Sequence, residues 1–443
     1  MRGERSVHDQ RRVDPSGPSW LGAVAVGAAA VLVAIAVLWG QAFVRRGPEL
    51  FLSAPPFVGV WQASWVPGLV WAVVLAAALV WWWVPLVERL RWGWVLAGSG
   101  ALSLLWSVVL QASEGWTSLY TVLGNRRAYL PTARSIDSPV EFLRTFVVRL
   151  PDYPTHVKGH PPGATLAHWV VDTLGAGRSD VLTASFLLIA ASAAPASLVA
   201  LRRVAGEEAA RRAAPFAGLA PAVVWIASSP DAMFMGVAAW AVACGAIAVT
   251  SGPRRAGVAG LGSGVLAGLS ISFSYGAVLL LAPLWALAIR ALRAGTWRPL
   301  VPACIGLAVV PGLFVAAGFD WFDGLAATHR AYLAGVAPER PDRYFLLANL
   351  AVLAVSIGPA AVAGIARLRD RATWWLVGGA LVGVLAANVS LMSKGEVERI
   401  WLPAVPFLVL ATVAYGSRLE RRVGLGAQLA VALVLQLWLR TPW

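Results

Sequence analysis

The 443-residue chain is 58% hydrophobic and only 13% charged, with a mean hydropathy of +0.70. That balance excludes a water-soluble globular domain and makes lipid its solvent. The formal net charge of +14 would suit nucleic acid, but the arginines gather in short turns on one side of successive apolar runs, a topology signal that excludes a nucleic-acid partner.

In chain order, residues 1–19 are charged and polar and are expected to be a disordered cytoplasmic amino terminus, with residues 20–443 forming a single transmembrane domain. The run Trp20–Gly40 exceeds a signal-peptide core and is expected to stay as a signal anchor. Runs of similar length follow at Gly68–Val84, Gly93–Gln111, Val181–Leu201 and Leu300–Gly318, each able to cross about 30 Å of hydrocarbon as a helix. Roughly eleven to thirteen such helices are expected, so the fold class is all-α, a polytopic transmembrane helical bundle of the plasma membrane. Cys244 and Cys304 fall within apolar runs, which indicates neither a disulfide framework nor a metal cluster.

With the amino terminus cytoplasmic, the inner turns are short and arginine-rich, as in LRRVAGEEAARR and SGPRRAG. Four polar intervals then face the exterior: a large loop over 113–180, the turn Ser228–Asp231, the interval Phe319–Tyr344 and the interval Leu391–Arg399. Any chemistry is therefore expected on that side. Within the large loop, Val140, Phe142 or Leu143, Phe146, Val147 and Leu150 share one face, opposite Glu141, Arg144 and Arg149. Between Pro139 and Pro151 this predicts an amphipathic helix lying in the headgroup plane.

The same loop ends in Asp152-Tyr153-Pro154-Thr155-His156-Val157-Lys158-Gly159-His160-Pro161-Pro162-Gly163. Two imidazoles, an ammonium and a carboxylate sit there between prolines and glycines that stiffen the backbone, an arrangement able to bind phosphate; the plainer alternative is a solvated polar turn. A second string, Lys394-Gly395-Glu396-Val397-Glu398-Arg399, places four charges at a membrane boundary. There, desolvation favours Arg–carboxylate pairing or a charged ligand, the plainer alternative being an interfacial anchor. The chain has 34 arginines and just two lysines, Lys158 and Lys394, one in each string, which suggests that both loops line one site. Asp231 opens a helix at a hairpin tip, where it is either a functional carboxylate or an amino-terminal cap. Of the remaining exterior acids, Glu49, Glu114, Asp137, Glu141, Asp320, Asp323, Glu339 and Asp342, the better candidates Glu114 and Asp137 share a loop with the histidines; His168 and His329 are expected to serve packing or surface roles.

These features together resemble the C-type integral-membrane glycosyltransferases, a superfamily that includes protein O-mannosyltransferases, lipid A aminoarabinose transferases and actinobacterial mannosyl- and arabinosyltransferases. The resemblance lies in the multiple helices, the long exterior loop, His160-Pro161-Pro162, the hairpin acid Asp231 and the string Gly395-Glu396-Val397-Glu398-Arg399-Ile400-Trp401. It implies inverting transfer of a sugar from a polyprenyl-phosphate donor to a hydroxyl on a glycan, lipid or protein acceptor at the outer membrane face. Asp137, Asp152 and Asp231 would be the catalytic carboxylates, with the base expected at Asp137 or Asp152, and His156, Lys158, His160, Lys394, Glu396, Glu398 and Arg399 would bind substrate. A divalent cation is compatible with the resemblance, although no clean ligand spacing is visible. The chain departs from the family pattern in its first exterior loop, which holds only Glu49 where those enzymes carry the catalytic acid. The competing classes are a transporter or lipid flippase, which wants polar groups near the midplane, and a membrane acyltransferase using His156 or His160.

Overall fold

The computed structural model describes residues 17–47, 50–63, 66–121, 128–227 and 229–442. They form the expected all-α polytopic bundle; the strands among them are the two-residue pair Val60–Trp61 and Leu439–Arg440, antiparallel with Val60 opposite Arg440. Among the described residues, eight helices are long and apolar enough to cross a membrane: Ser19–Arg46, Leu69–Arg89, Trp92–Ala112, Ser179–Ala205, Asp231–Val249, Pro253–Phe273, Asp342–Arg367 and Arg371–Val389. A ninth, Leu300–Ala316, bends by 74° into Trp321–Leu333.

Polar contacts sort the helix ends onto two faces. On one, Glu88 takes Arg421 at 2.7 Å and also Arg418, Arg211 donates to the carbonyls of Val87 and Leu90 at 2.7 and 2.9 Å, and Arg367 holds Glu420 at 2.8 Å. Gly17, just before the first helix, donates to the Arg367 carbonyl there, so this basic face carries the amino-terminal end of the bundle. On the opposite face, Glu114 accepts from Gln436 at 2.8 Å and from Arg440, Arg134 pairs with Asp172 at 2.8 Å, and Lys394 pairs with Asp342 at 2.5 Å.

These contacts reveal further crossings that helix length and hydropathy miss. The helix Arg418–Trp438 has Arg421 on the basic face and Gln436 on the other. Ala277–Leu280 and Ala282–Arg293, joined at Leu281, run antiparallel to the spanning helix Arg371–Val389, with the Leu279 carbonyl against Gly383 and Pro283 against Gly379. Leu402–Ala414 returns from Arg399 to Ser417 largely as 3₁₀ turns, whose rise of ~2.0 Å per residue stretches a short segment further than the ~1.5 Å of an α-helix. The stretch 214–227 passes from Arg211 toward Asp231 through turns and the 3₁₀ segment Pro221–Trp225, with Phe216, Leu219, Ala222 and Trp225 buried. Non-helical backbone at membrane depth survives only where protein encloses it. With these segments the crossings reach the upper end of the range expected from the sequence.

Two backbone features show how the bundle closes. A Cβ on Gly264 would fall 2.0 Å from the Ala303 carbonyl oxygen and one on Gly306 2.3 Å from that of Leu261, so Pro253–Phe273 and Leu300–Ala316 pack backbone to backbone. The helix Asp342–Arg367 breaks at Gly358, φ +78°, ahead of Pro359. Gln428 bridges the break, accepting from the Ala360 amide at 3.1 Å and donating to the Ile357 carbonyl at 2.8 Å.

The expected interfacial helix is short. Pro139–Thr145 is helical, followed by turns and the 3₁₀ segment Leu150–Asp152. Phe142, Leu143, Phe146 and Leu150 are buried in a small aromatic core with Tyr129, Tyr153, Phe234 and Phe319, whereas Val140 and Val148 are exposed. The apolar face thus packs mainly on the bundle.

Candidate functional site

The site lies on the face opposite the basic one, where three distant stretches of chain converge. Asp231 is the first residue of Asp231–Val249. Its carboxylate caps no helix: Ser229 Oγ accepts from the Asp231 amide at 3.1 Å and donates to Asp231 Oδ2 at 2.8 Å, and Arg399 Nη1 reaches the same oxygen at 2.6 Å. The second guanidinium nitrogen of Arg399 pairs with Glu396 Oε2. His160 Nε2 stands 3.8 Å from Asp231 Oδ1, and its Nδ1 donates to the His156 carbonyl at 2.9 Å. Tyr129, fully buried with its hydroxyl unpartnered, places its ring 5.6 Å from His160 and 6.0 Å from His156.

The electrostatics follow from burial beside Arg399. Burial alone would raise the Glu396 carboxyl, but the adjoining guanidinium holds it below its ordinary value. Burial would also favour the neutral form of Arg399, and the two carboxylates overcome it, so Arg399 stays firmly charged. Desolvation, aided by Arg399, pushes His156 down to about 4, which makes it a neutral imidazole near pH 7. Glu398 is the exception. It is 1% exposed, its oxygens lie toward the amides of Glu398 and Val58 without reaching hydrogen-bond geometry, and burial pushes it up to about 8.

The loop that carries Glu396 is held from behind. Asn349 donates to the Ser393 carbonyl at 2.8 Å and to Asn388 Oδ1 at 3.1 Å, and Asn388 donates to the Leu346 carbonyl at 3.0 Å. Lys394 Nζ meets Asp342 and the carbonyls of Ala337 and Arg340 at 2.5, 2.9 and 3.1 Å, while Arg340 donates back to the Lys394 carbonyl at 2.5 Å. After this clasp, Gly395 and Glu396 take positive φ values of +92° and +61°. A glutamate in that region is strained and persists only where its surroundings fix it, a condition typical of functional positions.

The two sequence strings therefore do meet, through His156, His160, Asp231, Glu396 and Arg399. The two lysines do not take part in that cluster: Lys394 is engaged in the clasp, and Lys158, half-buried, accepts at its carbonyl from Thr328 at 2.9 Å and forms no ion pair among the described residues. Asp137 and Asp152 are exposed on the neighbouring loop, without ion pairs among the described residues. Glu49 and Ser228 lie outside those residues. His168 packs as expected, its ring 4.8 Å from Tyr129, and His329 is exposed. Tyr129, Asn349, Asn388 and Arg340 were not signalled by any motif. No group of three or more His, Cys, Asp or Glu side chains among the described residues could hold a metal ion.

No family profile matches the chain, and no curated protein matches it. A solved structure, ArnT from Cupriavidus metallidurans in the apo state, aligns with 69% of this chain at 17% identity and a TM-score of 0.40. The chain spans 59% of that structure's length.

Proposed function

We propose that the chain is a membrane glycosyltransferase that moves a sugar from a polyprenyl-phosphate donor to a hydroxyl of a glycan, lipid or protein acceptor, with inversion, at the exterior face. The observation that supports this most is Arg399, a permanent cation fixed between Asp231 and Glu396 at one face of the bundle beside two histidines and an unpartnered tyrosine hydroxyl. A phosphate leaving group needs a preorganised cation and donors, and a hydroxyl nucleophile needs a carboxylate. In the step, the acceptor oxygen attacks the anomeric carbon, the bond from that carbon to the phosphate oxygen breaks, and the electron pair leaves with the phosphate. The acceptor proton passes to a carboxylate.

Glu396 is our choice for that carboxylate. Its side chain is 30% exposed against 5% for Asp231, so it can meet a substrate while Asp231 orients the guanidinium. His156 and His160 would receive the phosphate, with the ammonium of Lys158 approaching from the same turn and the buried Tyr129 ring backing the two imidazoles. The gathering of these groups at one face disfavours a carrier, which needs its site near the midplane.

The test is transfer of radiolabelled sugar from a panel of polyprenyl-phosphate sugars by the purified protein in lipid vesicles. Donor-dependent transfer that falls by about 10²–10⁴-fold in Glu396→Gln and persists in Asp137→Asn and Asp152→Asn is the expected result. Loss in either Asp variant with retention in Glu396→Gln would move the base to the neighbouring loop. Neither transfer nor donor binding by the wild type across the panel, with substrate counterflow instead, would establish a transporter.

A further inference from the structure

We propose that a groove on the lipid-facing flank of the bundle binds one anionic phospholipid from the leaflet beside the basic face; this does not depend on the catalytic reading. The helices Leu69–Arg89 and Trp92–Ala112 leave between them an apolar groove of about 500 Å³, running from Leu75 and Leu102 to Leu90 and Trp94. Its shape has a local cause. The π-helical turn Leu79–Trp83 interrupts the first helix, and there Trp82 stands 65% exposed as a wall while Trp83 lies nearly buried as the floor. Trp83 rests on Gly98, where a Cβ would come within 2.7 Å of the indole, so this close packing allows no larger side chain at 98.

Length and charge identify the occupant. Residues 75–90 along a helix extend ~22 Å, more than half of the ~30 Å hydrocarbon core, so the groove is deep enough for the acyl chains of one leaflet. Bare membrane-facing helices present convex surfaces to fluid lipid; a tryptophan-walled concavity of several hundred cubic ångströms has the dimensions of a ligand site. At its mouth Arg89 and Arg91 are exposed and pair with no acid among the described residues. Their neighbour Glu88 is already taken by Arg418 and Arg421, and Arg211 is held by Glu207 at 2.8 Å and by the Val87 and Leu90 carbonyls. The mouth therefore carries two uncompensated guanidinium groups above an apolar slot. A phosphodiester anion with acyl chains satisfies both, whereas a zwitterionic headgroup would bring its own cation against the arginines.

Native mass spectrometry of the full-length protein, titrated separately with phosphatidylglycerol, phosphatidylcholine and a polyprenyl phosphate, tests this. The expected result is one retained phosphatidylglycerol, bound about thirtyfold more tightly than phosphatidylcholine, with that preference lost in the Arg89→Gln/Arg91→Gln variant. Ala97→Trp, on an exposed groove position, should abolish retention of the lipid altogether by filling the slot. Equal retention of the two phospholipids by the wild type overturns the proposal, as does undiminished phosphatidylglycerol binding in Ala97→Trp. Preferential retention of polyprenyl phosphate that Ala97→Trp removes would also overturn it, by giving the groove to a different lipid.

Discussion

Asp231 and Arg399, 168 positions apart in the chain, meet at 2.6 Å with side chains 5% and 6% exposed. A buried pair of this kind adds little net stability over an apolar pair, but losing one member strands the other. Arg399→Met should therefore cost about 3–5 kcal/mol, because it leaves both Asp231 and Glu396 uncompensated. Asp231→Asn should cost less, since Glu396 still holds the guanidinium. The double variant should be more stable than the sum of the singles, by at least ~1 kcal/mol of coupling. Tryptophan fluorescence during denaturant unfolding in micelles measures all three, and strict additivity would show that the two residues do not interact.

The Lys394 clasp predicts a different pattern. All three ammonium donors are used by Asp342 and the carbonyls of Ala337 and Arg340, so Lys394→Met should destabilise by roughly 1–3 kcal/mol and release the strained Gly395–Glu396 turn. Lys394→Arg, too large for the same three acceptors, should rescue little. If the ammonium instead served only a substrate phosphate, Lys394→Met would weaken donor binding and leave the unfolding midpoint unchanged.

Gln428 carries the break at Gly358. Replacing it with Leu removes partners from the Ala360 amide and the Ile357 carbonyl inside the bundle, which should cost about 1–3 kcal/mol. Hydrogen exchange should show the loss locally, with faster exchange at Ala360 and little change in Arg371–Val389. Uniform acceleration along the chain would mean that the break is supported by other contacts.

Legibility in the sequence followed the range of the interactions. Hydropathy and arginine placement revealed the bundle because each span is a local property of about twenty residues. The buried 214–227 stretch and the 3₁₀-rich Leu402–Ala414 are stabilised by enclosure rather than by their own periodicity, so only contacts at their ends show that they cross. The site strings around His156, His160, Asp231 and Arg399 stood out because charge at a membrane boundary is costly and therefore conspicuous. Tyr129, Asn349 and Asn388 did not, since a tyrosine or asparagine near a helix end has many ordinary roles and only the fold brings these three behind the site. The pairing of the two lysines misled in part for the same reason: both lie on one face, but the acceptors around Lys394 come from residues 337–342, whose approach no local pattern encodes.

Glu398 gives the molecule a specific response to pH. Its carboxyl is pushed up to about 8 by burial, against ~4.3 in an unfolded chain. Between those values the folded protein holds a proton that the unfolded chain has released, so stability falls as pH rises, by up to ~1.4 kcal/mol per unit. The lower part of that window is masked. His156 and His168, pushed down to about 4 by burial, leave the unfolded chain binding more protons between about 4 and 6.5, so their contribution rises with pH there and opposes that of Glu398. Above about 6.5 the histidine contribution fades as the unfolded imidazoles lose their remaining protons, and Glu398 increasingly sets the slope up to about 8. Glu398→Gln, which cannot ionise, should flatten the decline between pH 6.5 and 8 and be more stable than the wild type at pH 8, while leaving the opposite slope below pH 6.5 intact and unmasked. Unfolding midpoints measured across that range decide the matter: a decline that persists unchanged in Glu398→Gln would assign it to another group and show that the Glu398 carboxyl ionises without penalty.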